Sequence, residues 1–268
     1  MATPEGSVAT GLPAPTDDLE RAEHDLATHA ICAVTGVLDD ATLAAARDEL
    51  YAAAAHDRSR GWERHDFGLD PDASNQRIWN VLSRSPVFID LAEHPVALAL
   101  LRSVLGWPML LGNLSGNITG PGGAAGHLHA DQLFIPEPWP ASPQGANAAW
   151  CVDDFTAETG ATSFVPGSHL LNRPPRGPDE REAVPYEAPA GSLVVFDARL
   201  WHRTGANVTA DRRRAAIFGW YTRPIYRAQE NWFLSLDPAV RQFASDELLV
   251  LLGYRTQGLG LVNGISPS

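Results

Sequence analysis

The chain has 268 residues, 44% of them hydrophobic, and a net charge of −12. The length fits one large domain with a sizeable core, and the negative charge argues against a nucleic-acid partner, because phosphate contacts need basic patches. Twenty arginines and no lysine exclude Schiff-base, pyridoxal phosphate and phosphate-loop lysine chemistry, and two cysteines are too few for an iron–sulfur cluster or a cysteine-rich zinc site.

From the N-terminus, residues 1–18 are rich in Ala, Pro, Thr and Gly and lack the basic and apolar regions of a signal peptide. They are expected to form a disordered lead-in to a single domain over 19–268, with a cytoplasmic location as the default. No apolar run approaches the ~20 residues that span a bilayer, so no membrane association is expected. Cys32 and Cys151 are expected to be free, buried thiols. Asp39-Asp40 precedes an alanine-rich stretch that predicts a capped helix to about His56. Residues 57–76 read as a long polar loop. Apolar residues at helical spacing between Pro86 and Leu105 predict helix again, divided in two at Pro95.

From Met109 the texture changes to short apolar or alternating runs separated by Gly, Pro, Asn and Asp. Strands are predicted over 110–118, 127–135, 148–153, 192–197 and 214–221. The fold expected is mainly β with a helical N-terminal layer: a double-stranded β-helix, or cupin-like jelly roll, with its core over about 109–223. The proline-rich segment between Phe134 and Asn147 is expected to be a loop at the barrel mouth. After Arg223 the chain turns irregular, with a short helix near 238–252.

On an extended strand, side chains at i, i+2 and i+4 share a face, which places His127, His129 and Asp131 together. Two histidines and one carboxylate form a facial triad that holds non-haem Fe(II) and leaves coordination positions open. A lone His-x-Asp is weak, and a surface histidine beside a turn aspartate would look the same. The context downstream strengthens it. The strand ending at Asp197 leads to Trp201-His202, and Arg213 follows at the start of the next strand. Its planar fork is suited to gripping the carboxylate of a co-substrate. Arg212 and Arg214 read as solvated charges, and His169, in Pro-Gly-Ser-His, as structural. Trp62 and His65 lie in a loop able to cover a site, and Tyr226 and Trp232 are candidate pocket walls.

Together with Asp153-Asp154-Phe155-Thr156-Ala157-Glu158-Thr159-Gly160-Ala161-Thr162 and Val165-Pro166-Gly167-Ser168-His169, these motifs resemble the phytanoyl-CoA dioxygenase family of Fe(II)/2-oxoglutarate oxygenases over roughly residues 25–265. The resemblance implies iron ligands His129, Asp131 and His202. It implies 2-oxoglutarate held by Arg213 with Thr204 beside it, with Trp150 and Thr162 as further co-substrate contacts and molecular oxygen as oxidant. His127 stands where relatives often carry glutamine, and is a candidate co-substrate contact. The ligand Asp131 argues against halogenation. Hydroxylation of an unactivated C–H bond in a small, neutral specialised metabolite is the expected reaction. Cyclisation, desaturation or epimerisation remain open, as does a cupin-type isomerase that does not use 2-oxoglutarate. The loops 62–75, 133–147 and 223–232 are expected to shape the substrate mouth. Nothing in the sequence fixes an oligomeric state.

Overall fold

A computed structural model describes residues 11–62, 68, 70–177, 179, 183–256 and 258–267. Four helices precede the main strands: α1 (Leu19–His29), α2 (Asp40–Ser59), α3 (Pro86–Ala92) and α4 (Pro95–Leu105). Asp18 caps α1 by accepting from the Glu20 and Arg21 amides, and Asp39 caps α2 through Thr42. Pro95 opens α4 as its first residue, which is where a proline without an N–H is tolerated; it divides this region as expected.

The strands are β1 (Ile31–Val34), β2 (Asn75–Ile78), β3 (Leu110–Thr119), β4 (Gly145–Cys151), β5 (Ser163–Phe164), β6 (Val184–Pro185), β7 (Leu193–Asp197), β8 (His202–Arg203) and β9 (Arg214–Thr222). They form a six-stranded sheet in the order β1-β7-β4-β9-β3-β2 and a three-stranded sheet in the order β6-β5-β8, antiparallel throughout. This is the expected jelly roll. Short helices α5 (Trp232–Ser235), α6 (Pro238–Phe243) and α7 (Asp246–Leu251) follow, so the helix expected near 238–252 is two helices, broken between Phe243 and Asp246. Among the described residues no helix is long and apolar enough to cross a membrane.

The larger sheet is buried on both faces. Leu111, Leu114 and Ile118 of β3, Ala148 and Trp150 of β4, and Ile217 and Tyr221 of β9 pack with Leu50, Phe88 and Leu101 of the helices. The opposite face looks towards the smaller sheet. There Ala149, Cys151, Val194, Phe196 and Ala216 meet Phe155, Phe164 and Tyr186. A register shift between Leu111 and Asn113 sends Leu111 towards the helices and Asn113 to the inner face.

Two expectations fail here. Residues 127–135 are not a strand: His129 forms an isolated bridge to His202, and Asp131–Phe134 is a single 3-10 turn. The lead-in is ordered before Asp18, because Thr16 bridges Val34 and exchanges backbone hydrogen bonds with Ala33 and Thr35. Residues 1–10 and His65 lie outside the described residues.

Candidate active site

The inner face of the larger sheet can be followed in cross-strand rows. Near the mouth lie Asn113, Trp220, Asn147 and Phe196. Next come Ser115, Phe218, Ala149 and Val194, then Arg77, Asn117, Ala216 and Cys151, and at the far end Thr119 with Arg214. Part of this face lines a slot, a cavity of about 350 Å³ whose walls include Asn117, His129, Asp131, Asn147, Thr162, His202 and Thr204.

His129 and His202 face each other across the bridge, each backbone N–H donating to the other's carbonyl at 3.0 and 2.8 Å. Their ring centroids are 4.4 Å apart. His129 Nδ1 donates to the His127 carbonyl and His202 Nδ1 to the Leu200 carbonyl, both at 2.9 Å. A carbonyl only accepts, so each ring carries a proton on Nδ1 and turns Nε2 to the cavity. Asp131 Oδ1 is 3.6 Å from His129 Nε2, and its Oδ2 is 3.5 Å from His202 Nε2. The donor atoms of the three residues lie within 4.8 Å of one another. Burial, with His202 alongside, pushes the His129 pKa down to about 4, so the imidazole is neutral, the form that binds a metal. Asn147 Nδ2 donates to Asp131 Oδ2 at 2.7 Å and fixes the carboxylate plane.

One row beyond the Asn117 that lines the slot, on the inner face of β9, the guanidinium of Arg214 is fully buried. Its Nη2 donates to Thr119 Oγ1 (3.0 Å) and the Gly160 carbonyl (2.7 Å), and the group stacks 4.7 Å from the centre of the Phe155 ring. Its Nε and Nη1 have no partner, and it makes no ion pair among the described residues. Burial pulls its pKa down to about 10, which leaves it charged at neutral pH. A desolvated cation with two open donors is the complement of a carboxylate. Gly160 makes the arrangement possible: at φ +82° its Cα lies so close to residues 205–207 that a Cβ would fall 2.6 Å from the Gly205 carbonyl oxygen. That close crossing sets Thr162 and Thr204 into the same slot.

The family model for phytanoyl-CoA dioxygenase (PhyH) matches residues 31–215. The chain belongs to the phytanoyl-CoA dioxygenase family. It is 35% identical over 253 residues to dioxygenase af480 of Aspergillus fumigatus, covering 91% of this chain and 81% of that one. It is 32% identical over 216 residues to an uncharacterised protein of Mycobacterium tuberculosis, covering 77% and 76% of the two chains. Among solved structures it resembles HygX of Streptomyces hygroscopicus with nickel, 2-oxoglutarate and hygromycin B bound (TM-score 0.63, 19% identity, 78% of this chain and 88% of that one). It also resembles the epimerase SnoN with Fe3+, α-ketoglutarate and nogalamycin RO (TM-score 0.59, 24% identity, 86% and 93%). The protein is an Fe(II)/2-oxoglutarate-dependent oxygenase using molecular oxygen.

Within this family member, the structure brings His129, Asp131, His202, Thr162 and Thr204 together as expected and leaves three expected residues outside. Arg213 is exposed beside Tyr51 on the helix side; the inward guanidinium is Arg214, one residue later. Trp150 points away from the cavity into the helix-facing core, edge-on to His94 at 5.1 Å. The His127 side chain is exposed, and only its carbonyl serves the site. His169 is buried apart from the triad, as read. Tyr226 and Trp232 wall a separate apolar cavity of about 870 Å³ rather than the iron pocket.

Sequence reasoning missed Arg214, Asn147, Arg77 and the ladder Asn113, Ser115 and Asn117. The ladder carried a signal: polar residues at every second position in an otherwise apolar strand mark a face turned to a wet cavity. Both loops at 133–147 and 223–232 reach the cavity, through Leu133, Phe134 and Gln229. From the side of the 62–75 loop, the residues described in the lining are Arg77 and Trp79, just beyond it.

Proposed function

We propose that this oxygenase hydroxylates an unactivated C–H bond of a small specialised metabolite. His129, Asp131 and His202 hold the iron, and Arg214 with Thr204 and Thr162 holds the distal carboxylate of 2-oxoglutarate. The observation that carries this reading is Arg214, a fully buried cation with two open donors on the inner face of β9, one row beyond the Asn117 that lines the cavity. The donor set fits the metal: two imidazoles and one carboxylate, each already oriented by a second hydrogen bond. Iron with 2-oxoglutarate and oxygen supplies the oxidising power that removes hydrogen from the substrate.

The chain's own part is to orient and to exclude water. Phe196, Phe218 and Trp220 wall the cavity on one side, and Asn113, Ser115 and Asn117 offer hydrogen bonds along β3. The Phe134 and Trp220 rings meet near the mouth in a tilted contact, centroids 6.0 Å apart. An amphipathic pocket of this kind suits a ring-bearing metabolite with a few oxygen or nitrogen functions. Hydroxylation is favoured over epimerisation by the lining. Returning a hydrogen atom to the opposite face of a carbon needs a nearby O–H or S–H donor with a weak bond, and among the described lining residues there is no tyrosine or cysteine.

The test begins with purified protein, Fe(II), 2-oxoglutarate and oxygen. Succinate should form slowly even without substrate. With a substrate drawn from a panel of ring-bearing metabolites, label from 18O2 should enter the product. A new product lacking both label and added oxygen would overturn hydroxylation, and no consumption of 2-oxoglutarate would overturn the co-substrate assignment.

A further inference from the structure

The surface around the larger cavity takes no part in the iron site. Six large apolar side chains crowd it: Ile225, Phe233, Leu234, Leu259, Val262 and Ile265, each between 54% and 84% exposed. They belong to one surface. Ile225, Phe233 and Leu259 line the cavity of about 870 Å³, and Leu234 follows Phe233 on α5. Val262 and Ile265 bridge each other in a terminal turn just after Leu259. Ser266 Oγ accepts from the Thr256 amide at 3.0 Å and donates to the Tyr254 carbonyl at 3.3 Å, which ties that turn back to Tyr254. The Tyr254 ring in turn lies 4.5 Å from that of Phe233.

At about 180 Å² for a fully exposed side chain of this size, the six present roughly 700 Å² of apolar surface to water. The largest apolar patch on a typical monomer is about 300–600 Å². Apolar atoms make up about 57–65% of a protein interface, so this patch implies roughly 1,100–1,200 Å² per partner, above the ~800 Å² of a standard interface. A small ligand inside the cavity would leave Leu234, Val262 and Ile265 in water, because they stand outside its lining. A surface of comparable size would cover them.

Charge narrows the partner. The chain carries −12 overall, so a second copy is repelled unless the contact face supplies opposite charges. This face supplies them. Arg227 and Glu230 both lie on the cavity wall, and among the described residues neither makes an ion pair within the chain. In a twofold contact residue i meets j and j meets i, so an unpaired cation and an unpaired anion on one patch satisfy each other twice across the axis.

We propose that this face is the interface of a twofold homodimer, in which each copy covers the other's apolar rim and Arg227 of one copy pairs with Glu230 of the other. Ala228 and Glu230 face this cavity while Gln229, between them, lines the iron pocket, so the interface shares a wall with the site. The competing account is a monomer whose cavity takes a small apolar ligand.

The molar mass of the full-length protein separates the two, by light scattering and sedimentation equilibrium over about a hundredfold range of concentration. The expected mass is twice the 28.9 kDa of one chain. Arg227→Glu and Glu230→Arg should each raise the dimer Kd by about tenfold or more. The variant carrying both should recover most of that loss, because the opposite charges then face each other in exchanged places. Leu234→Glu should give the mass of one chain with unchanged helical content by circular dichroism, since Leu234 is exposed within a single copy. A single-chain mass for the wild type at every concentration overturns the proposal. Enhanced fluorescence of 1-anilinonaphthalene-8-sulfonate with that monomer would give the cavity to a small ligand instead. A dimer that persists unweakened in Leu234→Glu overturns it by placing the contact elsewhere, and a double charge variant no tighter than the single ones overturns it as well.

Discussion

Replacing Arg214 by methionine should separate binding from folding in a way that replacing Arg213 cannot. In the folded chain Arg214 donates twice from Nη2, leaves Nε and Nη1 open, and makes no ion pair among the described residues. Methionine removes two hydrogen bonds worth about 1 kcal/mol each and strands the Gly160 carbonyl, a further ~1–3 kcal/mol. It also relieves two orphaned donors at ~1–3 kcal/mol each and the desolvation of an unpaired cation. These contributions oppose one another, so the protein without co-substrate should lose no more than about 3 kcal/mol of stability. Binding has no such compensation. Losing one partner of a buried charge pair costs about 2–5 kcal/mol, so the 2-oxoglutarate Kd should rise from about thirtyfold to several thousandfold. Urea unfolding measures the first quantity and anaerobic titration of 2-oxoglutarate the second. Arg213→Met, at an exposed position, should leave both nearly unchanged. A large loss of affinity in Arg213→Met with none in Arg214→Met would refute the assignment.

The remaining predictions concern the metal, its support and the fold. His129→Ala, Asp131→Ala and His202→Ala should each abolish stoichiometric Fe(II) binding, read by dialysis and metal analysis; wild-type binding in any one variant removes that residue from the ligand set. Asn147→Ala frees the Asp131 carboxylate and should weaken metal affinity by about 10–100-fold while leaving helical content by circular dichroism unchanged. His94 has its pKa lowered by burial, with Nδ1 unpartnered. Below pH 6.5 the unfolded chain therefore binds more protons there than the folded one, and stability falls as pH drops from 6.5 through the folded value. His94→Phe should lose less stability than wild type in urea titrations between pH 7 and pH 5, and an identical slope would deny His94 that role. Cys32, its pKa pushed up to about 12 by burial, and Cys151, raised further for the same reason, should resist thiol reagents until the protein unfolds.

The cluster proposed to hold the metal was legible because its chemistry is carried by residue type and spacing. The buried guanidinium proposed as the clamp was not, because both faces of β9 are apolar. Ala215, Ile217 and Tyr221 go to the helices and Ala216, Phe218 and Trp220 to the inner face, so composition alone does not reveal which parity faces in. A one-residue error in parity moves every side chain to the other face, and it exchanged Arg213 for Arg214. The same ambiguity put Trp150 in the pocket when Asn147 and Ala149 point inward and Trp150 does not. Helix placement was easier, since Asp18, Asp39 and Pro95 mark starts that depend only on local backbone chemistry. The segment at 127–135 looked like a strand because its residues alternate, but it pairs only at His129 and then turns.

The reciprocal bridge between His129 and His202 has a bearing on metal exchange. The two imidazoles are strapped together by main-chain bonds before any ion arrives, so their bite is a property of the folded backbone. Asp131 stands on a 3-10 turn with its side chain 26% exposed, and it is the ligand with room to adjust. An ion of different radius or preferred geometry, nickel or cobalt in place of iron, would therefore find its two nitrogens already set. The mismatch would fall on one carboxylate and on the hydrogen bond that Asn147 gives it.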